Sequence, residues 1–205
     1  IRFLLLFSFL GIGFMLIEIP LFQKFILFLG QPVLAMATLL FSLLVGGGIG
    51  SWASGSFWGR SAVSKLRLAA MIVAILVAVC ILFLGHVFAL FLGAPFYFRL
   101  IISFMLLSPL GFFMGIPFPQ GLKLLEETGF DIYIPRMWGI NGIGSVLGSA
   151  LAIAWSISFG FSYAMVLGGI LYFFVFLLFA FGLRSVNTSS CLGQDRIEPS
   201  IPPPV

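Results

Sequence analysis

The sequence predicts an all-α polytopic integral membrane protein, a bundle of about six transmembrane helices. Hydrophobic residues make up 61% of the 205 positions and charged residues 8%, with a mean hydropathy of +1.24. A soluble domain of this length needs far more charge to cover its surface. The apolar residues also fall into six runs long enough to cross a hydrocarbon core of roughly 30 Å, separated by short breaks rich in Gly, Pro or polar residues. The formal net charge of +4 is small, so the placement of basic residues speaks to topology and not to nucleic-acid binding.

The first run, about Phe3 to Leu29, is roughly 40 Å long as a helix and must tilt or kink. Pro20 supplies the kink, since it removes an amide donor and crowds the Leu16 carbonyl. Near its middle stands Glu18. A carboxylate at that depth costs several kcal/mol unless it is neutral or paired, so it faces a bundle interior or a watery cavity. It reads either as a functional acid or as a satisfied structural group beside the proline kink. Gln23 and Lys24 follow within two turns and complete a polar set on the same segment.

Gly30-Gln31-Pro32 is a turn, and the second run continues to about Ser54. Gly46 and Gly50 have the spacing that lets a neighbouring helix backbone approach closely. The glycine run lacks the strand–loop–helix context and the Lys-Ser/Thr ending of a phosphate-binding loop. Residues 55–66 are expected to be a loop carrying Arg60 and Lys65. The third run, about Leu68 to Leu92, holds His86, the single histidine; with no second histidine to pair with it, no metal site is expected. Arg99 lies one turn inside the fourth run, about Phe96 to Gly115, and reads either as a snorkelling residue or as half of a buried ion pair.

Two prolines in Ile116-Pro117-Phe118-Pro119 end that run. The polar stretch that follows carries Lys123, Glu126, Glu127 and Asp131, and its 121–127 part reads either as a short interfacial helix or as a solvated loop. The fifth run, about Trp138 to Phe159, places Asn141, Ser145, Gly148 and Ala152 on one face, and Gly144 and Gly148 repeat the close-packing spacing. That smooth face predicts a helix central to the bundle. The sixth run, about Ser162 to Leu183, carries Tyr172-Phe173-Phe174 with Phe176 and Phe179, an aromatic set suited to lipid. Residues 1–183 thus form one six-helix domain, and the Ser/Asn/Thr/Pro-rich residues 184–205 are expected to be a disordered cytoplasmic tail. Cys80 lies mid-way along an apolar run and Cys191 in the tail, so no disulfide between them is expected.

With six spans, Arg2, Arg60, Lys65, Arg67, Lys123, Arg136, Arg184 and Arg196 fall on one side and Lys24 and Arg99 on the other. The excess predicts that both termini are cytoplasmic. Lys24 is six residues from Glu18, some 120° round the helix and out of contact, so Arg99 or a protonated His86 is the expected partner of an ionised Glu18. The lone histidine has no acid at matching depth other than Glu18, which excludes a hydrolase arrangement.

Three passages together point further: Gly13-Phe14-Met15-Leu16-Ile17-Glu18-Ile19 with Gln23-Lys24-Phe25 and Leu29-Gly30-Gln31-Pro32; Ile116-Pro117-Phe118-Pro119-Gln120-Gly121-Leu122; and Ile134-Pro135-Arg136-Met137-Trp138-Gly139-Ile140-Asn141-Gly142 with Ser145-Val146-Leu147-Gly148. In these the chain resembles the carboxyl-terminal membrane region of bacterial membrane-embedded spermidine-synthase-like proteins. Gln31 and Arg136 depart from that pattern, which has a histidine and a less charged residue there. The resemblance implies a bacterial inner-membrane protein in which an upstream soluble aminopropyl- or methyltransferase-like domain is joined to this one, and the chain, hydrophobic from Ile1 onward, is expected to be part of a longer protein. Nothing in it supplies a nucleoside-cofactor fingerprint, so no cofactor is expected and this region is not expected to be catalytic alone.

Three functions stay open on the sequence. One is a non-catalytic membrane domain offering Glu18, Gln23, Lys24, Arg99 and Asn141 to a small cationic, polyamine-like substrate or a lipid headgroup. Another is a transporter or half-transporter of the major-facilitator type, although Gly55-Ser56-Phe57-Trp58-Gly59-Arg60 lacks the aspartate of that superfamily's loop. The third is a structural anchor whose glycines only pack. The lipid bilayer is a partner in all three, and nucleic acid in none.

Overall fold

The computed structural model describes residues 1–56 and 61–180. The expected tail 184–205 and Phe57-Trp58-Gly59-Arg60 of the loop after the second run lie outside the described residues. Within them the chain is helical: α1 (Arg2–Leu29), α2 (Pro32–Ser56), α3 (Ala62–Phe91), α4 (Phe96–Met114), α5 (Pro117–Glu127), a 3₁₀ turn (Asp131–Tyr133), α6 (Ile134–Phe159) and α7 (Phe161–Ala180). Six helical stretches are long and apolar enough to cross a membrane, with α4 and α5 counted as one.

The breaks have local causes. Gly30, at φ 77°, takes the left-handed cap that ends α1, donating to the Ile26 carbonyl at 2.8 Å, a position where a side chain would be strained. Pro32 then starts α2, where its missing amide costs nothing. The Ser61 side chain accepts from the Ser64 amide and caps α3, so α3 begins six residues earlier than the sequence suggested. Lys65 is therefore helical and not part of a loop. Pro117 opens α5 one residue after Gly115-Ile116, and Gly160 at φ 100° separates α6 from α7.

Helix α1 is the centre of the bundle. It packs chiefly on α6 and α7 and also touches α2, α4 and α5, while α3 lies along α7 and α2 lies along α4. The expectation of a central fifth run is thus corrected. Its helix, α6, lies mainly against α1 and exposes Ile143, Val146, Leu147 and Ile157. The smooth stripe is real but shifted by one register: Gly144, Gly148, Ala152 and Ser156 are buried, with Asn141 and Ser145 at its edge. The aromatic run on α7 also splits. Phe173 and Phe174 are exposed, whereas Tyr172 and Phe179 are buried.

Between 121 and 127 the structure selects the helix. α5 is amphipathic, with Pro117, Gln120, Gly121 and Leu125 buried against α3 and α1 and with Lys123 and Glu127 on its exposed face as an ion pair of 3.9 Å.

Two seams bring backbones together. A Cβ at Gly50 would overlap the Phe112 carbonyl, one at Gly46 would press on the Ser108 carbonyl, and Gly115 lies against the Gly47 backbone, so α2 and α4 touch main chain to main chain. On the other side, Gly148 meets the Ile12 backbone, Gly144 the Ser8 carbonyl and Gly11 the Asn141 carbonyl. Buried Phe25 and Phe28 of α1 meet Phe88 of α3, the latter pair stacked at 4.3 Å.

Among the described residues, Arg2, Lys65, Arg67, Lys123 and Arg136 gather at one end of the bundle, here the basic end, and Lys24 and Arg99 at the far end. This division follows from the alternating direction of the helices.

Candidate functional site

Glu18 projects from α1 toward the junction with the α2–α4 pair. It lines a cleft of about 200 Å³ whose other walls include Phe14, Gly47 and Gly48 of α2, and Gly111, Met114 and Gly115 of α4. The glycines of the seam serve twice. Where they face each other they bring α2 and α4 into contact, and where they face α1 they leave a space with backbone walls in front of a carboxylate.

Glu18 is half-buried and makes no hydrogen bond or ion pair among the described residues. A second cleft of about 290 Å³ adjoins the first, since Phe14 and Met114 line both. It is walled by Gly11 and Met15 of α1, Asn141 and Ser145 of α6 and Tyr172 of α7. The two clefts thus share a wall, the first opening toward α2 and α4 and the second toward α6 and α7.

The partners expected for Glu18 are engaged elsewhere, because each reaches a nearer acceptor. Arg99 donates through Nη1 to the Phe28 carbonyl at 2.8 Å, capping the end of α1, and its buried Nε has no partner among the described residues. Such a cap satisfies a terminal carbonyl and places a cation at the negative end of the helix. His86 is exposed, with Nδ1 3.2 Å from the Leu82 carbonyl of its own helix. Lys24 donates to Ser162 Oγ at 2.9 Å. Gln23 is half-buried with no hydrogen bond among the described residues. Of the five candidate substrate-binding residues, Glu18 and Asn141 lie in adjoining clefts, Lys24 and Arg99 lie at the far end, and Gln23 lines neither cleft.

Two groups escaped the sequence reading. One is Tyr172 on the second cleft, beside Ser145 of the small-residue face; a tyrosine inside an aromatic run carries no sign of which way it faces. The other is a polar cluster at the basic end. Lys65, 5% exposed, donates to the Ser54 carbonyl at 2.6 Å, and Gln120, 3% exposed, donates to Ser54 Oγ at 2.9 Å. Ser54 Oγ in turn donates to the Ser51 carbonyl at 2.7 Å. This cluster ties the end of α2 to α3 and α5. Arg67 places its guanidinium 5.7 Å over the Phe176 ring nearby. Lysine next to a helix end was the available signal, but its acceptor could not be known before the end of α2 was placed beside α3.

Among the described residues no three of His, Cys, Asp and Glu gather closely enough to hold a metal ion. Comparison with protein-family models, with curated proteins and with solved structures gives no match.

Proposed function

We propose that this multi-pass membrane domain holds a small organic cation, an amine of the polyamine type, in the cleft at Glu18. The observation that carries the reading is a carboxylate in the middle of a membrane-spanning-length helix, with no partner among the described residues, that lines an open cleft. An unpaired acid at that depth is costly, and a cation that enters the cleft relieves the cost. Backbone walls suit a slender ligand, and the adjoining cleft offers Asn141, Ser145 and Tyr172 to a second polar group along an extended chain. The domain itself is non-catalytic. In agreement with its resemblance to spermidine-synthase-like membrane proteins, it would serve an upstream soluble transferase-like domain from the bacterial inner membrane, with the basic end in the cytoplasm.

A second reading, transport of the same cation, is favoured by the position of the cleft. It lies between the α2–α4 pair and α1, and a polar latch, Arg99 of α4 on the Phe28 carbonyl of α1, joins these parts at one end.

The test is calorimetric titration of spermidine into the purified protein in nanodiscs, wild type against Glu18→Gln. Saturable binding that weakens at least ten-fold in the variant supports the amine site. Equal binding by both, or binding by neither, overturns it and leaves a structural anchor. Uptake of spermidine into proteoliposomes, lost in Glu18→Gln, separates the transport reading from a static site.

A further inference from the structure

The cleft at Glu18 lies at mid-height of three helices of membrane-spanning length. Leu44 is the central residue of α2 (Pro32–Ser56), Gly111 stands near the centre of the α4–α5 stretch and Glu18 near the centre of α1. Two residues of its α2 wall face outward: Leu44 is 72% exposed, and Gly48 is exposed with nothing within 4 Å of where its Cβ would stand among the described residues. Phe41 and Ile49, on the same helix, are exposed as well. Exposed apolar surface at that height faces hydrocarbon, so the cleft has a mouth on the bilayer side.

We infer that through this mouth the cleft takes an amphiphilic monoamine from the bilayer, its ammonium on Glu18 and its alkyl chain running out past Gly48 and Leu44 among the lipid chains. The inference rests on the reading of Glu18 as a cation site and adds a ligand class to it.

The charge count favours that ligand. Glu18 is the only ionisable residue among the described residues that line the cleft, and the chain's other acids begin at Glu126, on the connection at the basic end. One carboxylate balances one ammonium, and any further ammonium at that depth is costly. The adjoining cleft offers a polyamine's remaining nitrogens the neutral groups of Asn141, Ser145 and Tyr172 but no second charge. A monoamine needs none.

The lining and the size point the same way. Phe14, Leu40, Leu43 and Met114 surround the carboxylate with apolar wall, which an alkyl stem covers without leaving a polar group unpaired. A volume of about 200 Å³ is below the roughly 300–1,000 Å³ of sites that enclose a drug-sized ligand. The cleft therefore holds a headgroup and a short stem, and a longer chain leaves by the mouth.

Calorimetric titration of octylamine and of butylamine into the purified full chain in phosphatidylcholine nanodiscs tests the inference, with Glu18→Gln discs giving the background of plain partitioning into lipid. The expected result is saturable octylamine binding above that background, half-complete at a total concentration at least ten-fold lower than butylamine needs, because the longer chain concentrates the amine in the bilayer at the mouth. Gly48→Leu, whose side chain enters open space at the mouth, should keep the fold and weaken octylamine at least ten-fold. Equal octylamine uptake by wild-type and Glu18→Gln discs overturns the inference, as does an unchanged affinity in Gly48→Leu or an equal affinity for the two amines. Spermidine binding that is lost in Glu18→Gln but resists millimolar octylamine overturns this inference alone and leaves the amine site standing. Octylamine binding without spermidine binding supports the inference and restricts the site to amphiphilic amines. If neither binds through Glu18, both readings fall. If Glu18→Gln fails to fold, Gly48→Leu and the ratio of octylamine to butylamine affinity still decide.

Discussion

The seams and the junction between them are built on opposite principles. Along α2–α4 and α1–α6, glycines remove side chains from the points of closest approach and main chains touch. Where α1 faces the α2–α4 pair, the same glycines leave a cleft in front of a carboxylate that has no partner among the described residues. In a membrane, association rests on close van der Waals packing and not on the hydrophobic effect, so a seam whose main chains touch is a strong contact. A junction fastened at one end by Arg99 on the Phe28 carbonyl, with a cleft along it, is a weaker one. The difference teaches where this bundle can yield and where it cannot.

That contrast can be broken most severely at the seams. Gly50→Leu forces a side chain into the Phe112 carbonyl and should cost about 3 kcal/mol or more, read as loss of folded protein in size-exclusion chromatography. Gly148→Leu, which meets the Ile12 backbone, should act alike. A control sharpens the comparison: Gly48 has open space around its missing Cβ, so Gly48→Ala should be neutral or raise stability by about 0.5–1 kcal/mol through helix propensity alone.

A smaller effect is expected at the latches. Lys65→Met leaves the Ser54 carbonyl at the end of α2 without its donor, at a cost of about 1–3 kcal/mol, and Arg99→Gln should act similarly at the Phe28 carbonyl. Thermal melts in detergent measure both. Least of all, Glu18→Gln should leave the melting temperature unchanged or slightly higher, because no hydrogen bond or ion pair among the described residues is lost, while abolishing the proposed amine binding. A large drop in stability on that substitution would mean that Glu18 is a structural acid after all.

The six spans could be read from the chain because hydropathy is a property of each helix alone. Gly46, Gly50, Gly144 and Gly148 could be read as close-packing positions for the same reason. Which helix each would meet could not, since lipid-facing and helix-facing residues are equally apolar and periodicity loses its meaning in a bilayer. α6 illustrates this: its small-residue stripe suggested a central helix, but a stripe needs only one neighbour. Glu18 was conspicuous as the one acid in a long apolar run, and its depth followed from helix geometry. Its surroundings did not, because long side chains such as Arg99 and Lys24 choose among acceptors within several ångströms, and nearby helix ends and hydroxyls outcompeted a carboxylate further off. Lys65 was misplaced for a different reason: the Ser61 cap that starts α3 ahead of it is a local signal that the hydropathy window blurred.

The order of the helices along the chain has a consequence for biosynthesis. α1 leaves the ribosome first, yet its most extensive neighbour, α6, begins about a hundred residues after α1 ends. At a synthesis rate of roughly 5–20 residues per second that is a delay on the order of 5–20 s. For that interval the helix that carries Glu18 is in the membrane without the backbone groove that fits it. The acid that marks the candidate site faces α2 and α4, so it is in need of shelter by the insertion machinery until α4 arrives, while the rest of α1 waits for α6 and α7.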